Sequence, residues 1–341
     1  MVVDIHNHFV PGPFVDHIRR HGGRYATELV TQGGREFFLI EKTARRSLNP
    51  RVTDLSVRRE QMAADGIDAQ ILSGFPFMTY YDVPVADGQE VARLLNDGLA
   101  EAVSADSAHF AGLATVPLQD VDAAVRELER AVDELGLVGV LVLTRAAGLS
   151  VDDRTLRPFW EAAARLRAPV LLHPFEAAPS GDLAKHHLGN LLGNPFNTAL
   201  SAALLILSGV VEELPDLRIV LAHGGGALPI VIGRLDRGWN GARDGGLGPV
   251  GAGLSRPPSA WLDRFGYDSI TFSPAALRYL VDLVGADHVM LGTDYPAPMQ
   301  QASPLSGIEA VGLAPEVIGR VLGENAFRLF GLEAIRSARR V

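Results

Sequence analysis

Hydrophobic and polar positions alternate along this chain in two rhythms that take turns. Short β-branched and leucine-rich runs read as strands, and between them apolar positions return every three or four residues, the period of a helix. A first strand enters His6-Asn7-His8, a helix over 54–65 carries Leu55, Arg58, Arg59 and Met62 into the turn at Asp65-Gly66, and 67–72 supplies a second strand. The cycle recurs with a helix over 90–104, a strand over 110–116, a strongly amphipathic helix over 121–135, a fourth strand over 138–143 and a helix over 160–166. Further strands are expected at Pro169–His173, Leu217–His223 and His288–Asp294. Alternation of this kind predicts an α/β protein with a parallel sheet, and its length and regularity predict a (β/α)8 TIM barrel.

Two segments break the rhythm. Residues 9–52 mix glycine, arginine and aromatic residues around an extended-looking Arg35–Ile40 stretch, and are expected to form a small inserted lid built on a hairpin. Residues 240–260 are rich in glycine and proline, which favours a loop. Lying between His223 and the strand that leads to Asp294, that loop would either hang over the active face of a barrel or serve as a flexible linker of no catalytic interest.

At 341 residues, 47% hydrophobic and 21% charged, the chain can bury one large core, so a single domain over 1–341 is expected. A net charge of −9, with no long basic run, argues against nucleic acid as a partner. There is no cysteine, which excludes disulfides and thiolate ligands. The chain starts directly on a strand rather than on an export signal, so a cytoplasmic location is expected. The apolar stretch 199–211 is too short for a bilayer, which needs about 20 residues, so no membrane association is expected.

The chemistry sits at strand ends. In an extended strand alternate side chains share a face, so His6 and His8 project the same way. Three more strands end in His173-Pro174, in His223-Gly224-Gly225-Gly226 and in Asp294-Tyr295-Pro296. In a parallel barrel all carboxyl-terminal strand ends meet on one face, so residues far apart in sequence converge there. A lone strand-end histidine is more often a hydrogen-bonded structural residue, and Asp294 alone could cap a helix. Several matched ends favour ligation instead, and His6, His8, His173 and Asp294 are read as ligands of one divalent metal. Imidazole nitrogen and carboxylate oxygen suit Zn2+ best, with Mn2+, Fe2+ or Co2+ compatible. His17, His21, His109 and His288 lack such a context and are expected at the surface or in caps, whereas His186 and His187 are kept as candidates.

These motifs, together with Leu72-Ser73-Gly74-Phe75-Pro76-Phe77-Met78, Ala222-His223-Gly224-Gly225-Gly226-Ala227 followed by Gly233-Arg234, and Leu291-Gly292-Thr293-Asp294-Tyr295-Pro296, resemble the amidohydrolase superfamily. Within it the chain looks like the branch of aminocarboxymuconate-semialdehyde decarboxylase and related non-oxidative decarboxylases. The resemblance implies oxygen-independent decarboxylation of a small unsaturated or aromatic carboxylate, with His223 beside the metal and its water in proton transfer. It also implies a homodimer, and arginines that bind the substrate carboxylate: Arg46, Arg234 and Arg243, with Arg243 one position out of register and Arg234 the candidate to cross from a neighbouring subunit.

The fourth strand lacks the lysine that binuclear members of the superfamily usually carry there. The only lysines are Lys42 and Lys185, so one tightly bound ion is expected. Asn190 and Ala297 stand where the resembling decarboxylase has aromatic residues, which puts the identity of the substrate in doubt more than the reaction. Hydrolysis of an amide, lactone or ester stays open, as do hydration of a double bond and a catalytically silent metal-binding barrel.

Overall fold

The computed structural model describes residues 1–42, 44–175, 180–246 and 248–338. After β1 (Val3–His8) come the insertion, with α1 (Gly12–His21) and strands β2 (Thr27–Gln32), β3 (Arg35–Ile40) and β4 (Ala44–Leu48), and then α2 (Leu55–Asp65). The repeating part continues through β5 (Ala69–Ser73), α3 (Val85–Ala105), β6 (Phe110–Ala114), α4 (Val121–Asp133) and β7 (Gly139–Leu143). A short hairpin, β8 (Arg145–Ala146) and β9 (Leu149–Ser150), precedes α5 (Arg157–Leu166), β10 (Val170–His173), α6 (Asn194–Leu207) and β11 (Ile219–Leu221). The chain then runs through α7 (Leu228–Arg243), β12 (Phe265–Asp268), α8 (Pro274–Val284), β13 (Val289–Met290) and α9 (Asn325–Phe330).

Eight strands pair in parallel in the order β1-β5-β6-β7-β10-β11-β12-β13. The ends of that sheet meet: Ile5 N donates to Leu291 O at 3.0 Å and His8 N to Tyr295 O at 2.7 Å, which closes the expected barrel. Strands such as β7, Gly-Val-Leu-Val-Leu, are buried along their whole length because helices cover the sheet outside and side chains fill it inside. Local signals set the helix ends. The Asp54 side chain accepts from Ser56 N and Val57 N at the start of α2, and Gly66, at φ +70°, ends it. Asp120 caps α4, whose buried Ala124, Leu128 and Ala131 form one stripe against the barrel.

Several expectations need correction. The strand β12 was not foreseen, because Phe265-Gly266-Tyr267-Asp268 is short and carries a glycine. Helix α3 starts at Val85 rather than at 90, its first turn being too polar to show the helical period. The insertion is more than a hairpin: β2, β3 and β4 form an antiparallel three-stranded sheet, and α1 packs beside it around a second apolar cluster that includes Phe14, Ile18, Phe38 and Tyr80. His17 is not at the surface; it is buried, with Nε2 2.9 Å from Tyr25 Oη.

The segment 240–260 does not cover the active face. Helix α7 lies between His223 and this segment and carries the chain to the other end of the barrel. There Ser255 N donates to Glu212, Ser259 N donates to Asp236, and Gly251 packs against Leu207 and Trp239 at the carboxyl ends of α6 and α7. Among the described residues no helix is long and apolar enough to cross a membrane.

Candidate metal centre

His6 and His8 close β1, His173 closes β10, and Asp294 follows β13, so the barrel delivers all four to one face. Each offers a ligand atom, and these atoms lie within 4.8 Å of one another in a buried cluster. Asp294 Oδ1 is 3.1 Å from His8 Nε2 and 3.7 Å from His6 Nε2.

The other ring nitrogens explain why the Nε2 atoms face inward. His6 Nδ1 is 2.6 Å from Asp268 Oδ2, His173 Nδ1 is 2.8 Å from Pro174 O, and His8 Nδ1 is 3.1 Å from Gly74 O. Carboxylate and carbonyl oxygens only accept, so each Nδ1 carries the hydrogen, which in a neutral ring leaves Nε2 as a lone-pair donor; the 3.1 Å contact of His8 Nε2 with Asp294 Oδ1 is the pairing that a metal held between them would replace. His6 Nε2 and His173 Nε2 are buried without a hydrogen-bond partner. Buried lone pairs converging with a carboxylate, and lacking donors, are the donor set a divalent cation satisfies.

Electrostatics act differently on each member of the cluster. Burial holds the His173 imidazole well below its ordinary range, and the neighbouring His6, His8 and His223 push the same way. Burial would raise the Asp294 carboxyl, but the His8 hydrogen bond and the nearby imidazoles outweigh it and keep it ionised. Burial would depress His6, yet the Asp268 hydrogen bond and charge turn the balance upward.

Asp268 is the functional residue that sequence reasoning missed. Besides His6 it accepts the backbone N–H groups of His223 and Gly224, both at 2.8 Å. One carboxylate thus orients a ligand and the turn that carries His223. The available signal was the same as at the other strands, an apolar run ending in a polar residue. Gly292 belongs to the same corner: a Cβ there would lie 2.9 Å from Asp268 Cβ and 3.1 Å from His6 Cβ, so only glycine lets the two strands approach.

His223 stands beside the cluster, with ring centroids 5.4 Å from His6 and 5.3 Å from His173. Burial holds its pKa below the ordinary value, so the ring is neutral and can exchange a proton. Both His223 and Asp294 adopt left-handed backbone, φ +58° and +57°. Such conformations cost roughly 1–3 kcal/mol and persist where surrounding structure enforces them, commonly at active sites.

The cluster floors a cavity of about 500 Å³ whose walls include Phe75, Phe77 and Phe175, with Arg46, His187 and Asn190 as polar edges. A second cavity of about 350 Å³ lies on the other side of His223 and Asp294 and shares Asn190, Asn194 and Met299 with the first. Arg46, half-buried on β4, reaches the first cavity; burial lowers its pKa, and the charge of Asp294 opposes that. Its recorded hydrogen bond is to the backbone oxygen of Arg45, so its fork is not engaged by a carboxylate.

The other two arginines line neither cavity. Arg234 is exposed on α7. Arg243, at the end of that helix and about 20 Å along its axis from the start, lies 4.3 Å over the Trp239 ring and donates to Leu254 O. Both His186 and His187 are exposed, and of the two only His187 lines the first cavity. No lysine lies in β7, and Lys185 pairs with Asp182 at the surface.

Comparison with known proteins follows the same lines. The amidohydrolase family model matches residues 3–332. The chain is 31% identical to 2-amino-3-carboxymuconate-6-semialdehyde decarboxylase of Dictyostelium discoideum, over 97% of this chain and 92% of that protein. Among solved structures it superposes on 5-carboxyvanillate decarboxylase of Sphingomonas paucimobilis with a TM-score of 0.80 and 29% identity, covering 97% of this chain and 98% of that one. It also superposes on a dihydroxybenzoic acid decarboxylase of Polaromonas sp. JS666, determined with bound manganese and 2-nitroresorcinol, with a TM-score of 0.78 and 27% identity over 97% of each chain. A family match spanning almost the whole barrel, on a chain whose strand ends carry a buried histidine–aspartate cluster, makes this protein a member of the amidohydrolase family.

Proposed function

We propose that this protein is a metal-dependent, oxygen-independent carboxy-lyase that releases carbon dioxide from a small unsaturated or aromatic carboxylate. The observation that carries this reading is the buried convergence of His6, His8, His173 and Asp294, with His6 Nε2 and His173 Nε2 lacking any hydrogen-bond partner, at the floor of an aromatic-walled cavity whose rim holds the Arg46 guanidinium. The similar decarboxylases, which act on aromatic or unsaturated carboxylates by name, support the same reading.

His6, His8, His173 and Asp294 would hold one divalent ion, Zn2+ by donor chemistry, with Mn2+ supported by the manganese-bound relative. When bound, such an ion supplies Lewis-acid polarisation of a substrate oxygen. The chain's own residues do the rest. Arg46 binds and orients an anionic group of the substrate through its planar fork. Phe75, Phe77 and Phe175 pack on the ring or conjugated chain and exclude water. His223, neutral at rest, takes up a proton from solvent water and delivers it to the carbon that bears the carboxylate. As the new C–H bond forms there, the C–C bond to the carboxylate breaks, its electrons return to that carbon, and carbon dioxide leaves.

The insertion acts as the lid, since Ala44 and Arg46 of β4 line the cavity. The active form is a homodimer in which Arg234 of a second copy completes the carboxylate site. Large exposed apolar side chains support this: Ile230, one turn before Arg234 on α7, is 74% exposed, Phe196 and Leu200 on α6, which packs against α7, 57%, and Phe272, which lines the second cavity with Ile230, 53%, apolar surface of the kind that associating proteins cover.

The test is to quantify metal in the purified protein and screen unsaturated and aromatic carboxylates for carbon dioxide release, with His223→Ala as control. Release by wild type and not by the variant supports the lyase. Bound metal with hydrolysis of lactones or amides, and no carbon dioxide, replaces it with a hydrolase.

A further inference from the structure

Helix α2 buries two residues against the barrel, Arg58 and Met62, one turn apart on the same stripe. A methionine there is ordinary; a fully buried arginine is not, because an ion removed from water must be compensated. Every acceptor recorded for Arg58 is a neutral oxygen. Nη1 donates to Asn7 Oδ1 and to Gln70 Oε1, each at 3.0 Å, and Nη2 donates to the backbone oxygen of His8. The guanidinium carbon also lies 4.8 Å from the centroid of the Tyr295 ring and 5.6 Å from that of Phe9. Gln70 passes the contact on, donating to Asp4 Oδ2 at 2.9 Å, and Asp4 in turn accepts from Thr293 Oγ1 at 2.7 Å.

These partners share a location. Asn7 and His8 belong to the end of β1, while Thr293 and Tyr295 flank Asp294. Here the barrel closes with the least regular pairing: β13 has two residues, Val289 and Met290, and beyond it the two segments are joined by a few bonds such as His8 N to Tyr295 O. The pairing of β1 with β5 also shifts register between Asp4 and Asn7. A weak seam therefore carries three of the four ligands, His6 and His8 on one side and Asp294 on the other.

We propose that Arg58 is a positioning residue of the metal centre, a strut that ties the His8 carbonyl to the Tyr295 ring and so holds His8 and Asp294 at their mutual spacing. The inference rests on the reading of His6, His8, His173 and Asp294 as metal ligands. It explains why a charge is buried where this helix meets the barrel: the fork grips a carbonyl and two side-chain amides at once, which an aliphatic residue cannot do. Removing it would leave buried oxygens unpartnered next to the ligands and let the seam relax. Partners that orient ligands from behind typically set metal affinity by about 10- to 100-fold.

The experiment is a competition titration of metal-free protein with Zn2+ and Mn2+ against a chromophoric chelator, on wild type, Arg58→Met and Arg58→Lys, with circular dichroism and the Tm of each metal-free form. The expected result is Kd raised about 10- to 100-fold in Arg58→Met at temperatures where the variant is folded, with Arg58→Lys in between because it keeps the charge and loses the fork. A lowered Tm with unchanged Kd in both folded variants overturns the proposal and leaves Arg58 a packing residue. Loss of fold in both overturns it too. Failure of wild type to bind either ion is a different result: it removes the metal reading itself.

Discussion

His6 Nδ1 lies 2.6 Å from Asp268 Oδ2, both fully buried, so the tautomer of a ligand at the start of the chain is set by a carboxylate 262 residues later. The same carboxylate accepts two backbone N–H groups from the His223 turn, at 2.8 Å. The proposed ligand and the proposed proton carrier are thus referenced to one group.

Asp268→Asn is therefore expected to damage metal binding and turnover together. The amide can present its N–H₂ to His6 Nδ1 and favour the wrong tautomer, and it cannot accept as strongly from the His223 turn. Metal affinity should fall about 10- to 100-fold, read by chelator competition. Unchanged affinity with reduced turnover would assign Asp268 to the His223 turn alone.

Arg46→Met should act on substrate rather than on metal. Loss of a hydrogen-bonded charge contact of roughly 1.5–3 kcal/mol predicts KM higher by about 10- to 150-fold, with metal content unchanged. Steady-state carbon dioxide release gives KM and kcat separately. A collapse of kcat at constant KM would show that Arg46 acts on the reacting bond instead of holding the substrate.

Gly292→Ala tests the close approach of the strands that carry His6 and Asp268. Its Cβ would stand 2.9 Å from Asp268 Cβ, so the strands must part. Overpacking of this kind costs typically about 1–3 kcal/mol, and the separation should also weaken the His6–Asp268 bond. The expected outcome is a lower Tm with reduced metal occupancy. A Tm and occupancy equal to wild type would mean that the corner can dilate freely.

Mixing two inactive variants tests Arg234 across the subunit boundary. In a dimer of one Arg234→Ala chain with one His223→Ala chain, a site built from both subunits recovers one wild-type pair, and carbon dioxide release returns to up to about half of the wild-type level per dimer. If Arg234 served its own protomer, both sites would stay defective and mixing would restore nothing. Sedimentation of Ile230→Asp should at the same time show dissociation if the exposed apolar face is the interface.

Much of this molecule is written locally. Alternating periods mark the strands and helices, Asp54 and Asp120 announce helix starts, and His6, His8, His173, His223 and Asp294 follow apolar runs that read as strands without any partner in view. Asp268 follows the same pattern, but its strand is four residues long with a glycine in it, so the period never becomes visible. The loop expected over 240–260 is shorter, since 240–243 finish α7 and 258–260 open a 3-10 turn, and it is misplaced because that helix carries the chain to the other end of the barrel.

The sequence by itself determined the (β/α)8 plan and the identity of the polar residues at the strand ends, because hydrophobic period and capping depend on neighbours within one turn or one strand. Only the tertiary structure decided which of those residues meet, that Asp268 stands behind His6, that Arg58 is buried under the seam, and that Arg46 reaches the cavity while Arg234 and Arg243 do not. These relations depend on barrel closure and on which way each side chain faces in three dimensions. They join residues tens to hundreds of positions apart, a distance over which no periodicity in a single sequence carries information.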